Sequence, residues 1–412
     1  MFLNRRYLIL NVIESKVYRY GDFAVRPTAV EQVASILEDH TNDKPSDVIN
    51  TLVLVDTKAS SLTTLASGAD FYASPQWSPN GDRIAYVEWH HPGWSHSWRI
   101  DNRRLTIGFE DMPWEATLLH VARVSSDGKS VSERVHVAGQ RRTTSIQQPS
   151  WLDNDTIIYL SDETGFSLPY SYDLTSKTST PLVPTSHELA GSDFAEPQWK
   201  LGSTTFAIIN PDSVIFARSF RGFSSLWLYT VSSKNWTSLA TDYVDIEAVR
   251  RFDAETIVFR GWKADSALAI VKAKLVNGPR LDTFEIQPPS SRLDEDDLAK
   301  PQGITLTTDG GQPLHVVFQA PKNKKYAGPQ GTLPPCIVNA HGGWVDDMVR
   351  LLGTILTRYT FRPTGRVSAA FAWLPQYFTN RGWAWVSVNY GGSSGYGRAY
   401  RWVDVMQKWR KR

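Results

Sequence analysis

A short unit that recurs along the first two thirds of the chain constrains the fold more than any other feature. Each copy has a proline followed two residues later by a tryptophan, then a polar turn and an apolar run; the copies lie at Trp77, Trp151 and Trp199. This pattern indicates strand, turn and strand. The interval from Trp151 to Trp199 fits a propeller-blade period of roughly 40–50 residues. The repeats predict a partial β-propeller of about four to five blades, with an unrelated β-sandwich as the alternative.

A different pattern follows near the other end of the chain, where two short apolar runs each open into a glycine turn. Cys336 to Ala340 runs into His341-Gly342-Gly343, and Trp383 to Val388 runs into a turn rich in glycine and serine. Such runs are typical of buried parallel strands. Ligands bind at the carboxyl ends of these strands in open α/β sheets. A His-Gly-Gly turn also leaves backbone N–H groups bare, as an oxyanion hole requires.

Composition excludes several classes of partner. Lys plus Arg total 44 against 42 Asp plus Glu, a net charge of +2, so the charge balance predicts neither nucleic acid nor an anionic membrane as a partner. The single cysteine, Cys336, allows no intrachain disulfide, and we therefore expect a cytoplasmic protein. The apolar run from Tyr7 to Ile13 lacks a signal-peptide cleavage site and favours an ordinary strand.

The runs just described belong to longer segments that resemble the prolyl oligopeptidase family of serine peptidases, especially its acylaminoacyl-peptidase and dipeptidyl-aminopeptidase-like branch. The segments are YRYGDFAVRPT from Tyr18, ILEDHTNDKPSDVIN from Ile36, LPPCIVNAHGG from Leu333, and PTGRVSAAFAWLPQYFTNRGWAWVSVNYGGSSGYGRAYR from Pro363. The resemblance implies a β-propeller followed by an α/β-hydrolase domain, here truncated at both ends. We expect the partial propeller over 1–281, a linker over 282–302 and the N-terminal part of the hydrolase domain over 303–412.

Two segments interrupt the resemblance. Without residues 93–110 the flanking sequence resembles a continuous family blade, and without 344–362 the family's His-Gly-Gly-Pro turn is restored. Both segments are interpreted as retained introns or gene-model errors, and genuine surface loops are the alternative.

The residues that the family uses for catalysis are a serine, an aspartate and a histidine, in that order along the chain. Residues 391–395 match the G-x-S-x-G pattern around Ser393, but no histidine follows His341. The turn instead resembles the family's Asn-Tyr-Arg-Gly-Ser-x-Gly-Tyr-Gly, which precedes the nucleophile, and Gly391 stands in place of its arginine. The triad is therefore expected to be absent, and no catalytic residue is assigned.

By resemblance, backbone N–H groups of Gly342 and Gly343 are the oxyanion-hole candidates, and His341 shapes the turn. The family hydrolyses short peptides from the N-terminus; we expect this chain itself to be inactive, with a non-catalytic propeller scaffold that binds peptides or proteins as the alternative.

No metal and no cofactor is predicted. Dinucleotide and phosphate-loop glycine patterns are absent from the sequence. The histidines at 90, 91 and 96 lack a further ligand for zinc, and the Asp39-His40 pair is expected in a solvated turn. The sequence makes no prediction of oligomeric state.

Overall fold

The structure is a computed structural model that describes residues 17–44, 46–90, 112–198, 200–276, 278–342 and 365–401. The two suspected insertions, 93–110 and 344–362, and the third repeat tryptophan, Trp199, lie outside the described residues. The chain divides into two compact units. The first consists of Met1–Thr164, Leu168–Pro184 and Gln198–Ser203, and the second of Gly165–Ser167, Thr185–Pro197 and Thr204–Arg412.

The described residues of the first unit form three four-stranded antiparallel sheets, each built from strands that are consecutive in the chain. The strands are β1 (Tyr18–Arg26), β2 (Ala29–Asp39), β3 (Ile49–Asp56) and β4 (Ser61–Ala66); β5 (Phe71–Trp77), β6 (Arg83–Trp89), β7 (Leu118–Val124) and β8 (Val131–Ala138); and β9 (Ile146–Trp151), β10 (Thr156–Ser161), β11 (Leu168–Asp173) and β12 (Thr178–Pro181).

Two further antiparallel sheets and one mixed sheet are formed by the second unit where the structure describes it. The antiparallel sheets are β13 (Phe206–Asn210), β14 (Ser213–Phe220), β15 (Phe223–Thr230) and β16 (Asn235–Leu239), and β17 (Asp245–Arg251), β18 (Thr256–Trp262), β19 (Ala269–Val276) and β20 (Arg280–Gln287). Five consecutive antiparallel sheets of four strands are consistent with the predicted propeller-like part.

The mixed sheet has the order β21-β22-β24-β23, with β21 (Pro301–Thr307), β22 (Pro313–Gln319), β23 (Cys336–Ala340) and β24 (Ala384–Asn389). Helices in the described part of the chain are the α-helices α1 (Trp373–Thr379) and α2 (Gly397–Arg401), and the 3₁₀ turns η1 (Glu188–Gly191) and η2 (Glu295–Asp297). Within the described ranges, no helix has the length and apolar character needed to cross a membrane.

The inner strands of the antiparallel sheets form the cores because their sequences are runs of β-branched and aromatic residues. In β6 every residue from Ile84 to Glu88 is buried, and in β10 every residue from Ile157 to Ser161 is buried. A strand that is covered on both faces carries a continuous apolar run, since alternate residues point to opposite faces. The last strand of a sheet is more polar, and all four residues of β12 are exposed.

The structure gives a physical reason for the repeated proline and tryptophan. In β5 and β9 a bulge lies just before the tryptophan, and Ser74 (φ 54°) and Gln148 (φ 53°) adopt the left-handed conformation there. The indole N–H of Trp77 then donates to the carbonyl of Ala24 at 3.1 Å, in the preceding sheet. Trp151 donates in the same way to the carbonyl of Gln76 at 2.9 Å. The repeated tryptophans therefore fasten one sheet of the first unit to the next.

The segment expected as a linker differs from the prediction at its start. Residues 282–287 belong to β20, in which Phe284 and Ile286 are exposed. Most of its residues are exposed, as suits an outer strand, and the strand pairs antiparallel with β19, with one irregularity between Ile270 and Val271. The acidic run that follows forms the 3₁₀ turn η2, and the side chain of Asp294 caps it by accepting from the N–H of Asp296 at 3.0 Å.

Replacing Trp151 with phenylalanine is expected to lower the free energy of unfolding of the first unit by about 1–2 kcal/mol, because the part-buried carbonyl of Gln76 loses its indole donor. The matched control is Trp373→Phe in α1, where the side chain is 56% exposed, and it should change stability by less than about 0.5 kcal/mol. Urea unfolding followed by far-ultraviolet circular dichroism compares the two. Equal effects of both substitutions would contradict the fastening role.

Candidate functional site

The predicted oxyanion turn and the glycine- and serine-rich turn lie together because the strands before them are parallel neighbours. β23 pairs with β24 in a register that runs from Cys336 opposite Ala384 to Ala340 opposite Val388. Both strands therefore end at the same edge of the mixed sheet. His341 and Gly342 follow β23 there and are called the first turn. Tyr390 to Gly395 follow β24 and are called the second turn.

His341 connects the two turns through its imidazole ring. Its Nε2 lies 2.8 Å from the hydroxyl oxygen of Ser393, and its Nδ1 lies 3.1 Å from the carbonyl oxygen of Gly342. The ring stacks on the ring of Tyr390 with 4.7 Å between centroids. Ser393 is 0% exposed, although it is the serine of the G-x-S-x-G pattern. The structure thus brings the half-buried ring of His341 against the fully buried hydroxyl of Ser393.

Tyr390 also contacts the backbone of the first turn. Its hydroxyl donates to the carbonyl oxygen of His341 at 2.9 Å. Burial raises the pKa of Tyr390 above its ordinary value, so the hydroxyl keeps its proton and remains a donor at neutral pH. Two residues of the second turn, Tyr390 and Ser393, therefore hold the first turn from two directions.

Asn389, the last residue of β24, fixes the start of the second turn. It is fully buried, accepts from the N–H of Val367 at 2.7 Å, and donates to the carbonyl of Val367 and the hydroxyl of Tyr396 at 2.9 and 2.8 Å. Burial raises the pKa of Tyr396 to about 12. Tyr396 stacks on His315 of β22 with 4.1 Å between centroids.

Gly397 must be glycine for reasons of space and of backbone conformation. Its φ is +80°, and a Cβ there would lie 2.8 Å from Phe166 and 2.9 Å from the carbonyl of Gly165. Its N–H donates to the carboxylate of Asp193 at 2.8 Å, and the other oxygen of Asp193 accepts from the N–H of Ser167 at 2.9 Å. The glycine at this point of the motif therefore allows the backbone to reach a buried carboxylate.

An ion-pair cluster lies beside the second turn. The guanidinium of Arg366, whose side chain is 9% exposed, donates to Glu196 and, at 3.0 Å, to Asp245. Burial lowers the pKa of Arg366, but the two carboxylates outweigh burial and raise the pKa overall. Gly395 packs directly on this side chain, since a Cβ there would lie 3.1 Å from Arg366 Cδ. The cluster links the turn to the antiparallel sheets of the second unit.

The residues predicted from the sequence fall into three groups. Gly342 is exposed at the end of β23, with open space where a side chain would project, whereas Gly343 lies outside the described residues. His90 lies 3.5 Å from Asp70, while His91 and His96 lie outside the described residues; within those ranges no group of three His, Cys, Asp or Glu could hold a metal. His40 lies in a polar turn, with Nδ1 2.7 Å from Asp43.

Sequence reasoning missed the roles of Asp193, Arg366 and Tyr390. Arg366 and Tyr390 lie within the segment that resembles the family, but the partner of Arg366 at Glu196 is 170 residues away. A partner so remote leaves no periodic or spacing signal in a single sequence.

No protein-family model and no curated protein matches the chain. Solved structures do match. A puromycin-hydrolyzing peptidase from Mycobacterium tuberculosis has a TM-score of 0.74 and 28% identity over 93% of this chain and 53% of that protein. Puromycin hydrolase has a TM-score of 0.74 and 27% identity over 94% of this chain and 53% of that protein.

Prolyl oligopeptidase B from Galerina marginata shares the fold, with a TM-score of 0.63 and 10% identity over 94% of this chain and 47% of that protein. The chain therefore spans about half the length of the solved structures that it matches.

We expect Arg366→Met to lower the free energy of unfolding by about 3 kcal/mol, because the carboxylates of Glu196 and Asp245 lose their shared cation. Arg280→Met is the matched control, since the side chain of Arg280 is exposed and pairs only with exposed Asp282 among the described residues; it should cost less than about 1 kcal/mol. Urea midpoints of both variants test the difference. A loss no greater than the control would mean that the Arg366 ion pairs do not stabilise the unit.

His315 should make the second unit less stable in mild acid. Burial, with a smaller effect of Arg221, lowers the pKa of His315 below its ordinary value of 6.5. The unfolded chain then binds the proton more readily, so stability falls as the pH drops below about 6.5. We expect His315→Gln to lose less stability than the wild type between pH 7 and pH 5. Urea midpoints at both pH values measure this, with exposed His136→Gln as the control; parallel profiles for wild type and His315→Gln would contradict the assignment.

Proposed function

We propose, from its structural likeness to serine peptidases of the prolyl oligopeptidase family, that this chain derives from a peptidase that hydrolyses short peptides from the N-terminus. Puromycin-hydrolysing peptidases and prolyl oligopeptidase family members are its structural neighbours and support that family. One neighbouring structure is a puromycin hydrolase mutant complexed with PGG. The proposed substrate is a short peptide with an accessible N-terminus.

The proposed arrangement is a partial propeller, a linker and the N-terminal part of an α/β-hydrolase domain. Five antiparallel four-stranded sheets support the first part. The mixed sheet that follows η2 supports the last, because it contains the parallel pair β23–β24, and parallel strands with ligand sites at their carboxyl ends are the basis of α/β folds.

In this proposal the turn after β23 supplies part of the oxyanion hole. A tetrahedral intermediate of peptide hydrolysis carries negative charge on the former carbonyl oxygen, and backbone N–H groups fixed beforehand stabilise that charge. The exposed position of Gly342 at the end of a parallel strand is the observation that carries the assignment. Gly343 is assigned the same role by resemblance.

The nucleophile is a separate question, and we propose that Ser393 does not supply it. A nucleophilic serine must reach the substrate carbonyl, whereas Ser393 is completely buried. The family order also requires a histidine after the serine, and these 412 residues contain none after His341. The chain by itself is therefore proposed not to hydrolyse peptides.

The second candidate function is a non-catalytic propeller scaffold that binds peptides. The observation that favours it is the complete burial of Ser393, which leaves the G-x-S-x-G turn without an accessible serine hydroxyl at that position. In the first candidate the chain is an inactive part of a peptidase, and in the second it is a binding protein in its own right. The two candidates therefore differ in whether these 412 residues bind peptide by themselves.

A serine-reactive fluorophosphonate probe should leave the 412-residue chain unlabelled, because Ser393 is inaccessible. Ser394→Ala is the matched control for Ser393→Ala, since Ser394 is an adjacent buried serine. The proposal fails if the wild type is labelled and the label disappears in Ser393→Ala but persists in Ser394→Ala.

Isothermal titration with trialanine distinguishes the remaining cases. Saturable binding without release of alanine would support the scaffold. Release of alanine would show that the chain has catalytic activity of its own and would contradict the absence of a nucleophile.

A further inference from the structure

The peptide group between His341 and Gly342 is held by the second turn. We propose that Tyr390 and Ser393 are positioning residues that fix the direction of the Gly342 N–H. The inference rests on the proposed function in one respect: it takes this N–H as an oxyanion-hole donor.

The first step concerns the carbonyl of His341. This carbonyl and the N–H of Gly342 belong to one peptide group, which is planar, with its oxygen and hydrogen pointing to opposite sides. The hydroxyl of Tyr390 donates to the carbonyl oxygen at 2.9 Å. A bond that fixes the direction of the oxygen therefore also fixes the direction of the N–H.

The second step concerns the tautomer of His341. The Gly342 carbonyl oxygen beside Nδ1, at 3.1 Å, can only accept, so Nδ1 of the neutral ring carries the proton. Nε2 is then an acceptor, and the hydroxyl of Ser393 donates to it at 2.8 Å. The imidazole is therefore held in one tautomer and one orientation.

The third step is that these contacts connect His341, Tyr390 and Ser393 to one another in a closed set. The N–H of Ser393 donates to the carbonyl of Tyr390 at 2.9 Å, and the Tyr390 ring stacks on the His341 ring. Each of the three residues thus restrains the other two. The neighbouring N–H of Gly392 donates to the carbonyl of Tyr400 at 2.9 Å, which links this set of three residues to α2.

This closed set of contacts explains why Ser393 is buried without a catalytic role. A hydroxyl taken out of water needs a partner, and the only function of the pair visible in its geometry is to orient the imidazole. The same Ser–His contact in an accessible site would resemble a nucleophile and its base. Complete burial of Ser393 makes it a support for the turn instead.

The test is nuclear magnetic resonance on the full chain labelled with ¹⁵N. Two signals report on the proposal: the ¹⁵N shifts of the His341 ring, which distinguish the tautomers, and the order parameter of the Gly342 N–H. We expect the wild type to have the Nδ1-protonated ring and an order parameter near 0.85, the value of rigid backbone. Tyr390→Phe keeps the stacked ring, removes the hydroxyl, and should lower the order parameter below about 0.6.

Ser393→Ala should abolish the preference for the Nδ1-protonated tautomer and lower the same order parameter, whereas the control Ser394→Ala should change neither signal. Far-ultraviolet circular dichroism identifies any variant that has not folded. If Ser393→Ala does not fold, Tyr390→Phe alone tests the proposal. The proposal is overturned if Gly342 is already mobile in the wild type, or if Tyr390→Phe and Ser393→Ala leave both signals unchanged. Because neither signal depends on turnover or on bound peptide, failure of the proposed function in the probe and peptide experiments is a separate result.

Discussion

The parallel pairing of β23 with β24 is the constraint on which the candidate site depends. It brings together the ends of two strands, so that His341 and Tyr390 are in contact although they lie 49 positions apart in the chain. β24 is held on its other side by β22, with His315 opposite Asn389, so the strand that carries the second turn is central in its sheet. Without this pairing, His341 and Ser393 would be on unrelated loops and neither would restrain the other.

Burial of polar groups is the second requirement, and the surrounding structure meets it with specific partners. Asp193 is buried and accepts N–H groups from Ser167 and Gly397, and Arg366 is buried between two carboxylates. Each of these groups would be unfavourable without its partners, since desolvation of an unpaired charge costs several kcal/mol. The second turn is therefore held by directional polar contacts as well as by apolar packing, which suits a segment whose glycines give the backbone little stiffness of its own.

The sequence was informative where a local pattern determines structure. The repeated proline and tryptophan predicted strand, turn and strand, and the sheets that contain Trp77 and Trp151 confirm it. The family resemblance of the segments around His341 and Ser393 is supported by the solved structures. The linker was harder to place, because β20 is an outer strand whose polar residues look like those of a linker. The contacts of Arg366 and Ser393 could not be predicted from the sequence, because they join residues far apart in the chain.

Amide hydrogen exchange of the mixed sheet tests the central claim most directly. If β24 lies between β22 and β23, the amides of Val386 and Val388 should exchange slowly, and β23 should show protection at alternate residues, since one side of an outer strand faces β24. That result would establish that the two turns start from neighbouring strands. Rapid exchange along all of β23 would contradict the account, because nothing would then hold His341 beside Tyr390 and Ser393.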